Sequence, residues 1–231
     1  NPGAWKLHAV YHKEVKKQRE RSEDGGVAQQ QARKVAEELA LIAALSADKR
    51  DELMAEGARY ASKQDGRRAA RAYRGAIALR PDKPVAYHNL GLMLNNSGHY
   101  VEAAQRFLEA KERCPVGSEG WACATAAAFD LLRQKDCGEV AKPEWWNDEG
   151  LKALSARVLR ASLNSSDTHH MRAEVLSGMS GAWEAGHRSA AELEEAATHF
   201  ERAAALHSAP AAKEDFKRSA ETCRRRAEML G

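Results

Sequence analysis

Pro84 to Pro115 reads PVAYHNLGLMLNNSGHYVEAAQRFLEAKERCP, and its spacing predicts two short antiparallel helices joined by a tight turn. Tyr87, Leu90, Gly91 and Leu94 recur at three- and four-residue steps and mark one face of the first helix. Ser97-Gly98 breaks the pattern. Tyr100, Ala103, Phe107 and Ala110 then mark one face of the second helix. The small residues have a physical job. Gly91 and Ala103 let the two backbones approach closely, and Phe107 fills the space beside them.

The same pattern stands 34 positions earlier. Leu53, Gly57 and Tyr60 fall where Tyr87, Gly91 and Leu94 do. Ala69, Tyr73, Ala76 and Pro81 fall where Ala103, Phe107, Ala110 and Pro115 do. Agreement at seven positions with one fixed offset makes residues 50–83 and 84–117 two copies of one unit. The order of a bulky residue, Leu-Gly, small Ala, aromatic, Ala and a terminal Pro resembles a tetratricopeptide repeat. Glu56 departs from it, standing where that family has Leu. The resemblance implies an all-α, right-handed α-solenoid of about four antiparallel helix hairpins.

Later hairpins begin in register and then depart. Trp121 lies 34 residues after Tyr87, and Thr125 takes the place of the close-contact glycine. The third hairpin, 118–164, carries an inserted loop at 134–146 with Pro143, Trp145 and Trp146, longer than usual helix–helix connections. Asn147 is a good cap for its second helix, whose apolar stripe is Leu151, Leu154, Val158 and Leu159. The fourth, 165–208, has Asp167 as a possible cap, Met171, Val175, Leu176 and Met179 on one stripe, and a second inserted loop at 180–188 with Trp183. Ser189 and Glu192 read as a capping box before Ala196, Phe200 and Ala203. A last helix over 210–230 places Phe216, Ala220, Cys223 and Ala227 on one stripe and reads as a terminal cap, with Arg224-Arg225-Arg226 as a solvated face.

Upstream, residues 1–26 hold Trp5, Leu7, Val10, Tyr11 and Val15 among Lys6, Lys13, Lys16, Lys17, Arg19 and Arg21, the pattern of a basic amphipathic helix. Such a segment packs on the array, docks on a partner protein, or lies on an anionic surface such as a membrane or nucleic acid; Glu14, Glu20, Glu23 and Asp24 count against the last. Gly25-Gly26 reads as a break. Residues 27–49 read as an N-terminal packing helix whose stripe of Val35, Leu39, Ile42 and Leu45 covers one end of the stack, with Ser46 capping the next helix.

Composition excludes several function classes. The formal net charge of +3, with 30% charged residues interspersed, gives no case for nucleic acid. The longest apolar run, near Leu39 to Leu45, is far too short to cross a bilayer. Cys114, Cys123, Cys137 and Cys223 are too scattered for a zinc site and read as thiols of a reducing compartment, with the cytoplasm foremost. The chain starts at Asn1, so a fragment or a processed form is expected. No phosphate loop, helical His pair or nucleophile elbow occurs, and adjacent His169 and His170 point to different sides. The expectation is therefore no enzyme, no cofactor and no metal.

The resemblance implies an interaction module whose first helices line a concave groove. Projected onto this chain, that groove takes in Met54 and Ala58, then Val85, His88, Asn89, Leu92 and Asn96, then Ala122 and Ala126. Asn89 can both donate to and accept from a peptide backbone. One branch of the family clamps a C-terminal carboxylate with basic and Asn side chains. Here Met54, Ala58, Glu119 and Cys123 hold the other clamp positions and only Asn89 matches, so chaperone tails are not expected to bind tightly. Two modes of partner binding follow. In the first, a scaffold or docking subunit uses Trp145, Trp146 and Trp183 as loop anchors, their rings otherwise folding back to plug the array. The alternative is an adaptor that holds a peptide in the groove; a third option is a regulatory domain of a larger enzyme.

Overall fold

The computed structural model of the chain describes residues 25–231, and every regular element among them is helical. They divide after Asp82 into two compact units. The basic segment predicted over residues 1–26 lies outside the described residues apart from Gly25 and Gly26.

The first unit pairs α1 (Gly25–Ser62) with α2 (Gly66–Leu79). No proline interrupts residues 27–62, so α1 runs through the predicted break at Ser46 and begins at the glycine pair instead of ending before it. The turn uses Gln64 at φ +60°, and the Asp65 carboxylate accepts from the Arg68 N–H at 3.2 Å to start α2. The expected separate packing helix does not form. The 14 residues of α2 cover roughly 21 Å of a helix roughly 57 Å long, which leaves the N-terminal half of α1 beyond its reach. Ile42 and Leu45, predicted to be buried, are accordingly exposed.

The second unit contains α3 (Pro84–Asn96), α4 (Tyr100–Arg113), α5 (Glu119–Leu132), α6 (Asp148–Ala161), α7 (Ser166–Ser177), α8 (Ala190–Leu206) and α9 (Pro210–Glu228). Pro84 and Pro210 stand in the first turns of their helices, where the missing N–H costs nothing. The Ser189–Glu192 capping box forms, and the Asn147 side chain accepts from the Gly150 N–H at 2.9 Å. Asp167 does not cap α7. It sits inside the first turn, after Ser165.

Both early hairpins are closed by one contact. A Cβ placed on Gly91 would lie 2.8 Å from Cε1 of Phe107, and one on Gly57 would lie 2.5 Å from Cε1 of Tyr73. An aromatic ring from the second helix thus rests on the bare backbone of the first, at the same register 34 residues apart. In the third hairpin buried Thr125 replaces the glycine, and its hydroxyl donates to the Trp121 carbonyl at 2.6 Å. A core of Trp121, Phe129, Leu151, Val158 and Met171 joins α5, α6 and α7. A second core, with Phe200 at its centre, joins α7, α8 and α9. Arg226, expected on a solvated face, donates to the Ser177 carbonyl at 2.9 Å and fastens α9 to the end of α7.

Gly91→Ala should cost about 1–3 kcal/mol in urea denaturation, because the new methyl displaces Phe107. Gly98→Ala is the contrast. Gly98 has φ +78° and open space around it, so that change should cost only about 1 kcal/mol, from backbone strain alone.

Candidate functional site

In the second unit the first helices of successive hairpins are α3, α5 and α7. Burial on α3 repeats at Tyr87, Leu90, Gly91 and Leu94, which face its own hairpin. The remaining faces carry Val85, His88, Asn89, Leu92, Asn95 and Asn96, all exposed or half-buried. Leu92 and Asn95 meet Ala126 and Asp130 of α5 and Asp167 and His170 of α7 around a pocket of about 190 Å³. Phe107 and Phe129 lie against it. Three helices from three hairpins therefore converge on one concavity.

Its polar groups differ in how they are satisfied. The side-chain amides of Asn89 and Asn95 make no hydrogen bond among the described residues, although both residues are half-buried. Nearby, Arg133 donates to Asp130 at 2.9 Å and lies 3.5 Å from Glu174. His170 reaches Glu174 at 3.4 Å. Burial pushes the His88 imidazole below its ordinary range, against the opposing pull of the Asp167 carboxylate. Burial likewise pushes the Cys123 thiol up, helped by Glu119 and Asp167. Asp167 on α7 thus acts on groups of both α3 and α5.

The predicted groove residues are not all available. Met54 is half-buried and Ala58 exposed, both on α1 in the first unit. Val85 and Leu92 are exposed, at 52% and 39%. Ala122 and Ala126 are buried, at 0% and 2%, because their small side chains admit Met171 and Val175 of α7 into the same cluster. Ala122 offers no surface, and Ala126 contributes only floor. Asn95, Asp130, Asp167 and His170 replace them as lining residues; their approach depends on how α7 packs beside α5.

The Trp-bearing loops are not free anchors. Trp145, Trp146 and Trp183 are half-buried against the core, with Trp146 and Trp183 centred 5.7 and 5.9 Å from Phe129. The Trp146 indole N–H donates to the Ala182 carbonyl at 3.2 Å, and that of Trp183 to Asp148 at 3.3 Å. Asp148 also takes a bidentate pair from Arg188, whose side chain is 3% exposed and also donates to the Val175 carbonyl at 3.0 Å. Lys142 closes the C-terminal end of α5 by donating to the carbonyls of Leu132 and Cys137. The two insertions are bonded to one another. Aromatic rings with a polar handle are buried when that handle finds a partner, and both indoles find one.

For catalysis or metal binding the described residues offer little. No group of three or more His, Cys, Asp or Glu side chains among them could hold a metal ion. His169 and His170 do diverge: the former meets His199 Nδ1-to-Nδ1 at 2.9 Å, while the latter turns to Glu174. All four cysteines are unpaired, and burial pushes Cys223 up to about 11. Among the described residues no helix is long and apolar enough to cross a membrane.

No family model matches the sequence, and no curated protein matches it. Solved structures do. The crystal structure of MamA protein superposes with a TM-score of 0.50 at 15% identity, over 80% of this chain and 88% of that one. YrrB, described as a TPR protein with an unusual peptide-binding site, gives 0.44 at 14% identity, over 75% of this chain and 82% of that one. The fold is tetratricopeptide-like. That likeness concerns the fold alone, and it agrees with the ring-on-glycine contact repeated at the two hairpins.

The Asp148–Arg188 pair sets an acid limit to stability. Hydrogen bonding from Arg188, opposed by partial burial and helped by Trp183, lowers the Asp148 carboxyl from 3.8 to about 2. Its ionised form is favoured in the folded state, so the stabilisation is complete above about pH 4 and fades as pH falls toward 2. The magnitude is about 2 kcal/mol. Asp148→Asn leaves Arg188 without its anion and should cost about 3 kcal/mol at neutral pH. In urea titrations the gap between the variant and the parent should narrow as the pH drops from 4 toward 2.

Proposed function

We propose that this chain is a non-catalytic protein-interaction module and that the α3–α5–α7 groove is where it holds a peptide segment of its partner. The observation that carries this reading is a pair of α3 amides with no protein hydrogen bond among the described residues, Asn95 at a concavity floored by aromatic rings and Asn89 further along the same helix. An extended peptide presents alternating N–H and C=O groups, and a carboxamide matches both. Water satisfies these amides when the groove is empty, so their hydrogen bonds can be exchanged for a partner's with little loss. The loops support a docking role less well, since all three tryptophan rings pack on the core and the indole N–H groups of Trp146 and Trp183 are already engaged.

Selection of random dodecapeptides against the chain, followed by titration of the winners, tests the reading. Asn89→Ala combined with Asn95→Ala should weaken them roughly tenfold, by the loss of two hydrogen bonds. Thermal melting should barely change, because neither amide bonds within the described residues. Leu92→Asp should abolish binding. Winners that bind parent and groove variants equally, or a selection that yields none, would overturn it.

A further inference from the structure

We infer that the segment this groove takes is basic, an extended stretch of chain carrying Lys or Arg. The inference rests on the reading of the groove as a peptide site and adds the chemistry of the occupant. The three helices that line the groove carry four carboxylates, Glu119, Asp130, Asp167 and Glu174, and a single cation, Arg172. Arg172 faces away from the groove. It pairs with Glu195 of α8 at 2.8 Å and donates to the Lys152 carbonyl of α6 at 3.1 Å. Helix α3 has no charged residue unless His88 is protonated, and burial opposes that.

Among the described residues, the arginine beside the groove is already committed. Arg133 follows α5 directly and lies between Asp130 and Glu174, so it offsets at most one of the four charges. Asp167 forms no ion pair among the described residues, yet its field reaches His88 on α3 and Cys123 on α5. Asp130 keeps 45% of its side chain exposed despite its pair with Arg133. Both carboxylates border a pocket whose floor is Phe107, Phe129 and Ala126. Low-dielectric walls focus such a field and raise the local concentration of cations. A Lys or Arg side chain fits both parts of the surface, since its methylene stem can lie along Leu92 while its head meets Asp167 or Asp130. An acidic segment would meet repulsion from the same two groups. The acids do not form a metal site, since no cluster of three or more potential ligands occurs among the described residues.

Fluorescence polarisation with the full chain decides the matter. Three labelled dodecapeptide pools, equal in apolar content, would carry Lys, Gln or Glu at the same set positions. The Lys pool should bind roughly tenfold tighter than the Glu pool at low salt, with the Gln pool between them, and half-molar salt should compress the spread. Asp130→Asn with Asp167→Asn should bring the Lys-to-Gln affinity ratio to about one, whatever it does to the Gln pool itself, and a ratio kept in that variant would overturn the preference. If Lys and Gln pools bind alike and both are lost in the Asn89→Ala/Asn95→Ala variant, the groove stands and the preference for cations is wrong. If no pool loses affinity in that variant, the groove reading itself falls.

Discussion

Two helices can lie close enough to trap an aromatic ring only where one of them lacks a side chain. Gly57 under Tyr73 and Gly91 under Phe107 meet this condition, and a methyl at either position would fall within 3 Å of ring carbons. The contact fixes the distance between the helices of each hairpin, and that distance places every other residue on the first helix. Tyr87, Leu90 and Leu94 turn inward because Gly91 does. His88, Asn89, Leu92 and Asn95 are left to the other side, and the groove is what remains.

The third hairpin breaks the condition and is repaired by other means. Thr125 bars a ring from the same seat, and α6 contains no aromatic residue to supply one. The missing volume comes from the insertions: Trp146 and Trp183 close on Phe129 from two separate loops. Long loops normally carry a cost in chain entropy and unsatisfied backbone, which here is offset by Asp148, Arg188 and Lys142 bonding the loops to helix ends and to one another. The tryptophans are structural because α6 supplies no ring of its own to set against Phe129.

This division also explains how much could be read in the residue order. A fixed period with Gly, Ala and aromatic at set places identifies the hairpins, since each contact joins residues 16 apart in the same unit. The loops were open to two readings because the deciding partners, Asp148 and Arg188, stand 40 residues apart with no spacing rule between them. The end of the first unit misled for another reason. Ser46 looks like a helix start, but a cap takes effect only where the chain has cause to stop, and an Ala-rich run without proline gives none. Ala122 and Ala126, expected on the groove, are buried. Their burial depends on how far α7 advances into the space they leave, a tertiary matter that small side chains permit without announcing.

Elsewhere in the second unit, half-buried polar groups are tied down: His169 to His199 and the Leu163 carbonyl, Lys152 to Glu192, Arg188 to Asp148. Half-buried Asn89 and Asn95 are the contrast on α3, and Asn95 shares its pocket with the exposed carboxylate of Asp167. A partner entering there must strip water from two amides and a carboxylate before any apolar contact is made with Leu92 or Phe107. An apolar segment would leave those groups buried and unpaired, a loss larger than the gain of a single good hydrogen bond. A segment with a free backbone and a cationic side chain replaces each lost water contact in kind. Selectivity in such a site comes from the penalty on wrong occupants more than from the strength of any one bond.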